Sequence, residues 1–181
     1  RQRRYCVGLE GVAAETCSDS SQPAPVSSAL AARIGNLAMP VQQISYRTEF
    51  CAAYRLYRED WSEARNHEVY GICASPHSHG HNYLFSVTLQ GEVDAETGMV
   101  YDFMKLKQLV ETHIVAPVDH HNLNLDVPFL SGIVPTSENL LTAFWEQLAP
   151  AFATTNGVRL FRLRLEESRD CRCDYFGPKH A

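Results

Sequence analysis

The chain has 181 residues, 45% of them hydrophobic and 20% charged, with a net charge of −5. That size fits one domain plus an extra segment, and the acidic balance argues against a general nucleic-acid binder, which needs clustered Lys and Arg. No run approaches the roughly 18 consecutive apolar residues of a membrane span, so no membrane partner is expected.

Residues 1–40 differ from the rest. They are rich in Ala, Ser, Gly and Pro, as in Ser18-Asp19-Ser20-Ser21-Gln22-Pro23, and lack sustained periodicity, which predicts a flexible N-terminal extension ahead of a domain over 41–181. Met39-Pro40 stands just before the first strand-like segment. The domain proper is therefore expected to start there, with leader sequence ahead of it. An organelle presequence fits Arg1, Arg3, Arg4 and Arg33 but not Glu10, Glu15 and Asp19.

Gln42 to Leu56 reads as a strand, and Asn82 to Val93 as a second with Tyr83, Phe85, Val87 and Leu89 on one face. Asp94 to Gly98 signals a turn, after which Met99 to Tyr101 is expected to return as a hairpin. Asp102 suits the N-cap of a helix reaching about Val115, with Phe103, Leu106, Val110 and Ile114 as its apolar stripe and Pro117 as its stop. A second helix follows Pro135 and Thr136, burying Leu141, Phe144, Trp145 and Leu148. Val158 to Leu165 and Cys171 to Phe176 close the chain as two strands. The order ββααββ predicts an α+β fold: an antiparallel four-stranded sheet with two helices on one face. Its two open edges predict pairing with identical copies.

Six cysteines (Cys6, Cys17, Cys51, Cys73, Cys171, Cys173) are scattered and follow no secretory segment. They read as reduced thiols of a cytoplasmic protein. Cys171 and Cys173 are too close-set for a zinc knuckle and read as one face of a strand.

The run Cys73-Ala74-Ser75-Pro76-His77-Ser78-His79-Gly80-His81-Asn82-Tyr83 concentrates the chemistry. Residues two apart on a strand share a face, so His79 and His81 can converge on one metal ion, and imidazole with thiolate favours zinc. Ordinary hydrogen bonding at a strand entrance is the bland reading. Asp119-His120-His121 is either a carboxylate-oriented proton relay or a solvated turn. Glu138 is accounted for by helix capping, and Glu167, next to Ser168, is ordinary by itself; a buried carboxylate facing a pocket can bind the guanidine-like edge of a heterocycle, a geometry that sequence does not display. Cys73 is a small buried hydrophobe unless a neighbour activates it.

In this order the motifs resemble the 6-pyruvoyl-tetrahydropterin synthase family, over about residues 44–176. They are Cys73 to Tyr83, Gly91 to Val100, Asp119 to Asn124, Pro135 to Asn139 and Glu167-Ser168. The resemblance implies the tunnelling fold, a hexamer built as a dimer of trimers, and a small-molecule pterin substrate, 7,8-dihydroneopterin triphosphate, with Mg2+ accompanying its triphosphate. It implies Cys73 as catalytic thiol with Asp119 and His120, Glu167 as pterin anchor, Thr136 and Glu138 lining the pocket, and zinc on His79 and His81. The product implied is 6-pyruvoyl-tetrahydropterin. The six-residue interval from Cys73 to His79 favours this branch over the 6-carboxy-tetrahydropterin synthases of deazapurine (queuosine) synthesis, whose interval is usually four.

One position departs from the pattern. Phe50-Cys51-Ala52-Ala53-Tyr54-Arg55-Leu56 places Tyr54 where the family has its third zinc-ligand histidine. Tyrosine binds metal as phenolate, which is costly near neutral pH. Cys51 falls on the opposite strand face, and His67, His77 or Cys73 could supply a ligand instead. Three readings follow: a lyase with an unusual metal shell of Tyr54, His79, His81 and a further ligand, holding its zinc weakly; a non-catalytic pterin binder that has lost the zinc; and an oligomeric scaffold.

Overall fold

The computed structural model describes residues 41–153 and 157–178, so the expectations for residues 1–40 lie outside the described residues. In chain order the elements are β1 (Val41–Tyr54), α1 (Glu63–Tyr70), β2 (His79–Glu92), α2 (Phe103–Val110), α3 (Ala116–Val118), β3 (His121–Asn122), α4 (Ser137–Phe152), β4 (Val158–Glu166) and β5 (Arg172–Tyr175). Short 3-10 turns occupy Gly71–Ala74 and Pro128–Leu130, and a wide π turn over Glu111–Val115 joins α2 to α3.

β1 and β2 pair antiparallel over 14 positions, from Val41 opposite Glu92 to Tyr54 opposite His79. β4 and β5 continue the sheet antiparallel beyond β2. The expected purely antiparallel four-stranded sheet needs correction. β3 lies parallel to β1, with Ala52 opposite His121, making five strands in the order β3-β1-β2-β4-β5. Two residues carry no readable alternation. They are held instead by flanking backbone bonds, His120 N–H to Cys51 O at 2.6 Å and Leu123 N–H to Ala53 O at 2.8 Å.

Three other expectations are corrected. Met99 to Tyr101 forms no return strand, because the Asp94 N–H closes a tight turn on Met99 O at 2.9 Å and Asp102 then starts α2. Asp102 does cap that helix, accepting the Met104 N–H at 2.7 Å. Pro117 does not stop the helical path: it sits at the start of α3, after the π turn, where a missing N–H costs little. α1 was not foreseen because it has no apolar stripe. Its one buried residue is Asn66, whose side chain bonds both the N–H and the C=O of Arg58.

The core lies between the sheet and α2, α3 and α4. Tyr83, Phe85, Val87 and Leu89 of β2 meet Leu106, Val110, Ile114, Leu141, Phe144 and Leu148, all buried. Phe103 leaves the expected stripe and is 52% exposed, being the first helical residue after the cap. Phe144 sits at the centre, edge-on to Phe50, Phe85 and Phe129 with ring centroids 6.2, 5.4 and 6.2 Å away. Phe144→Ala is expected to cost about 3–5 kcal/mol in urea unfolding, and Phe103→Ala less than about 1 kcal/mol. Equal losses at the two positions would contradict this packing.

Candidate active site

The β1–β2 register builds the site. Tyr54, Ala53 and Ala52 stand opposite His79, Gly80 and His81, so the two histidines rise from one face beside Tyr54. Gly80 is required there, since a Cβ would lie 2.8 Å from the Ala52 carbonyl oxygen and push the strands apart. The ring centroids of His79 and His81 are 5.2 Å apart, and the Tyr54 ring is 4.5 Å from the first and 5.8 Å from the second.

Glu167, just past β4, turns its carboxylate into this corner. The Tyr54 hydroxyl donates to Oε1, the Ser137 hydroxyl donates to Oε2 at 3.2 Å, and His81 Nε2 lies 3.3 Å from Oε1. Ser137 is the first residue of α4, capped by Thr136, whose Oγ1 accepts the Asn139 N–H at 3.3 Å. A helix N-terminus favours a nearby carboxylate. Burial, and next the Glu167 carboxylate, push the Tyr54 phenol well above its ordinary value. Tyr83 is raised too, by burial first and then by Tyr54 and Glu167. Both phenols are therefore neutral donors at physiological pH.

Cys73 joins the same corner. Leu56 N–H donates to Cys73 O at 2.9 Å and Arg55 Nε to Ala74 O at 2.7 Å, fastening the 3-10 turn to the end of β1. These bonds hold the Cys73 backbone beside Leu56, two residues beyond Tyr54. A cleft of about 290 Å³ opens alongside, lined by Tyr54, Leu56, Thr136, Ser137, Glu138 and Glu167 and by the segment Cys171, Arg172 and Cys173. Burial and the Glu138 charge push the Cys173 thiol up. A larger cleft of about 470 Å³ between Tyr57–Asp60 and Ser131–Val134 contains no Cys or His, so the chemistry points to the smaller one.

Asp119 and His120 are not brought to this corner within the chain. Asp119 Oδ1 accepts the Cys51 N–H at 2.8 Å, and its Oδ2 lies 2.9 Å from Nδ1 of His120, whose side chain is 81% exposed. Among the described residues no hydrogen bond or ion pair links this dyad to Cys73, His79, His81 or Glu167. His67 and His77 are exposed, as is Cys51. Ser137, Tyr83 and the Cys171–Cys173 segment belong to the site's surroundings without having been singled out for it. Ser137 alone carried a signal, as the residue following the helix cap.

The zinc ion implied by the resemblance can be tested on the donor set. His79 Nδ1 is buried without a hydrogen-bond partner. That leaves one imidazole nitrogen open, while the other histidine faces Glu167. Among the described residues no three His, Cys, Asp or Glu side chains converge to hold a metal ion. Protein zinc sites take at least three such ligands. Two imidazoles and a protonated phenol do not fit.

An α+β domain with a partly buried carboxylate at a small cleft is of the class of folds able to accept paired N–H donors from a flat, nitrogen-rich ring. The family model described as 6-pyruvoyl tetrahydropterin synthase matches residues 43–178, and the chain belongs to that family. It is 40% identical to the 6-pyruvoyl tetrahydrobiopterin synthase of Pongo abelii over 126 residues, 70% of this chain and 85% of that one. It is also 40% identical over 130 residues to a putative 6-pyruvoyl tetrahydrobiopterin synthase of Caenorhabditis elegans, covering 72% and 91% of the two chains. A solved structure of Caenorhabditis elegans 6-pyruvoyl tetrahydropterin synthase aligns with TM-score 0.73 at 37% identity, over 78% of this chain and 99% of that one.

Asp119 supplies a check on the geometry of the dyad. The Cys51 N–H, and then His120, hold its carboxyl below the ordinary 3.8. A depressed carboxylate stabilises the fold above the unfolded-state value and loses that contribution as pH falls through the folded-state value. Asp119→Asn should therefore lower the urea midpoint at neutral pH and bring it close to wild type below the carboxylate range. A constant difference from pH 7 down to acid would contradict the bond to Cys51.

Proposed function

We propose that the chain is a lyase of the 6-pyruvoyl-tetrahydropterin synthase type, converting 7,8-dihydroneopterin triphosphate to 6-pyruvoyl-tetrahydropterin with release of triphosphate. The observation that carries this reading is Glu167, a carboxylate with 25% side-chain exposure that reaches the cleft formed by Tyr54, Thr136, Ser137 and Glu138. A carboxylate accepts two parallel N–H bonds from the guanidine-like edge of a pterin ring, a pairing that fixes orientation as well as affinity. Relatives named for this synthase over most of their length support the same substrate class.

The reaction balances internally. Oxidation of the first hydroxyl-bearing carbon to a carbonyl gives two electrons and two protons to the ring's C=N bond, while loss of triphosphate with a proton from the second leaves an enol that tautomerises to the other carbonyl and a terminal methyl, so no external oxidant is required. The protein's work is proton transfer and orientation. In this reading Cys73, whose backbone is held beside the end of β1, takes a proton from the side chain as thiolate. Asp119 orients His120 as the second proton carrier. On the same reading the dyad, beside β3 at the sheet edge, serves the site of a neighbouring copy in a homo-hexamer made as a dimer of trimers. Two short edge strands, β3 and β5, and exposed Ile72 and Leu125 support such pairing. Mg2+ enters with the triphosphate as part of the substrate.

The reading includes a cytoplasmic location, a compartment that suits reduced thiols such as Cys51, Cys73, Cys171 and Cys173, which form no disulfide among the described residues. Among the described residues, no helix is long and apolar enough to cross a membrane.

Chromatography of the pterin product together with triphosphate release, measured on the full chain, tests the reading. Cys73→Ser is expected to lower turnover by about 10²-fold or more while 7,8-dihydroneopterin still binds. Full turnover in Cys73→Ser would remove the thiol from the mechanism, and pterin binding without triphosphate release by wild type would make the chain a binding protein.

A further inference from the structure

The corner between His79 and His81 already has an occupant. Tyr54 is 3% exposed and packs its ring against both imidazoles, with its hydroxyl fastened to Glu167. It also lines the cleft, so it stands between the cleft and the histidine pair. A metal ion bound here would need a third ligand from this direction, and the group present is a phenol whose proton is engaged by a carboxylate. Glu167 cannot serve instead without giving up the contacts that aim it at the cleft, two of which come from Tyr54 and Ser137.

We propose that Tyr54 takes the place of a resident metal ion: the protein carries no stoichiometric zinc, and the Tyr54 hydroxyl is the positioning group that holds the Glu167 carboxylate ready for the pterin edge. The positioning half rests on the pterin reading above, while the metal half stands on the donor set alone. The geometry also shows what reverses it. β1 places position 54 opposite His79, so an imidazole there would converge with His79 and His81 as a three-histidine set. Tyr54 thus acts on two properties at once, metal content and the grip on the substrate.

Two measurements on the full chain separate these halves. Zinc content is read by elemental mass spectrometry after growth with added zinc and dialysis, for wild type, Tyr54→Phe, Tyr54→His and Tyr54→His/His79→Ala. Substoichiometric zinc in wild type and Tyr54→Phe, one zinc per chain in Tyr54→His, and its loss in the double variant are expected. One zinc per wild-type chain overturns the proposal, and so does a folded Tyr54→His that stays empty, because Tyr54 would then not be what excludes the metal. Affinity for 7,8-dihydroneopterin is read by calorimetry. Tyr54→Phe keeps the ring and removes only the hydroxyl, and is expected to weaken binding about tenfold. Unchanged or tighter binding overturns the positioning role. Zinc content is measured without substrate, so a failure of the lyase reading leaves that result standing. Weak pterin binding by wild type itself would sink the lyase reading without touching the metal result.

Discussion

Everything at the site depends on the antiparallel register of β1 and β2. Fourteen paired positions fix which residues of the two strands face each other, and a slip of one residue would turn every side chain to the opposite face. In the observed register Tyr83, Phe85, Val87 and Leu89 go into the core while His79 and His81, on the same face further along, emerge beside Tyr54. The apolar half of β2 therefore aims its polar half. Gly80 permits this, because the Ala52 carbonyl comes too close for any side chain at that position.

The second dependence is electrostatic. Glu167 sits among neutral donors, the Tyr54 and Ser137 hydroxyls, with the start of α4 alongside. A carboxylate held by donors that do not compete in charge remains an acceptor for an incoming N–H pair. Burial keeps Tyr54 protonated, which is what a donor requires and what a metal ligand cannot tolerate.

Much of this was legible in the chain itself. Alternation exposed the core face of β2, Asp102 marked the start of α2, and the spacing from Cys73 through His81, with Tyr54 at its unusual place, located the corner. What escaped notice had physical reasons. α1 is held by a polar clamp around Asn66, which leaves no apolar period to find. β3 is two residues long and exists only through bonds to β1. The bond from Tyr54 to Glu167 joins positions 113 residues apart, a pairing that a single sequence does not display. The placement of Asp119 and His120 likewise depends on a sheet edge that no local pattern announces.

In the proposed reading Glu167 is the group that holds the substrate ring. Calorimetric titration of wild type and Glu167→Gln with 7,8-dihydroneopterin addresses it directly, with thermal unfolding of both as a check on folding. A loss of about tenfold or more in affinity is expected for Glu167→Gln, with the fold retained. Equal affinity in two folded proteins would contradict it and place the ring elsewhere.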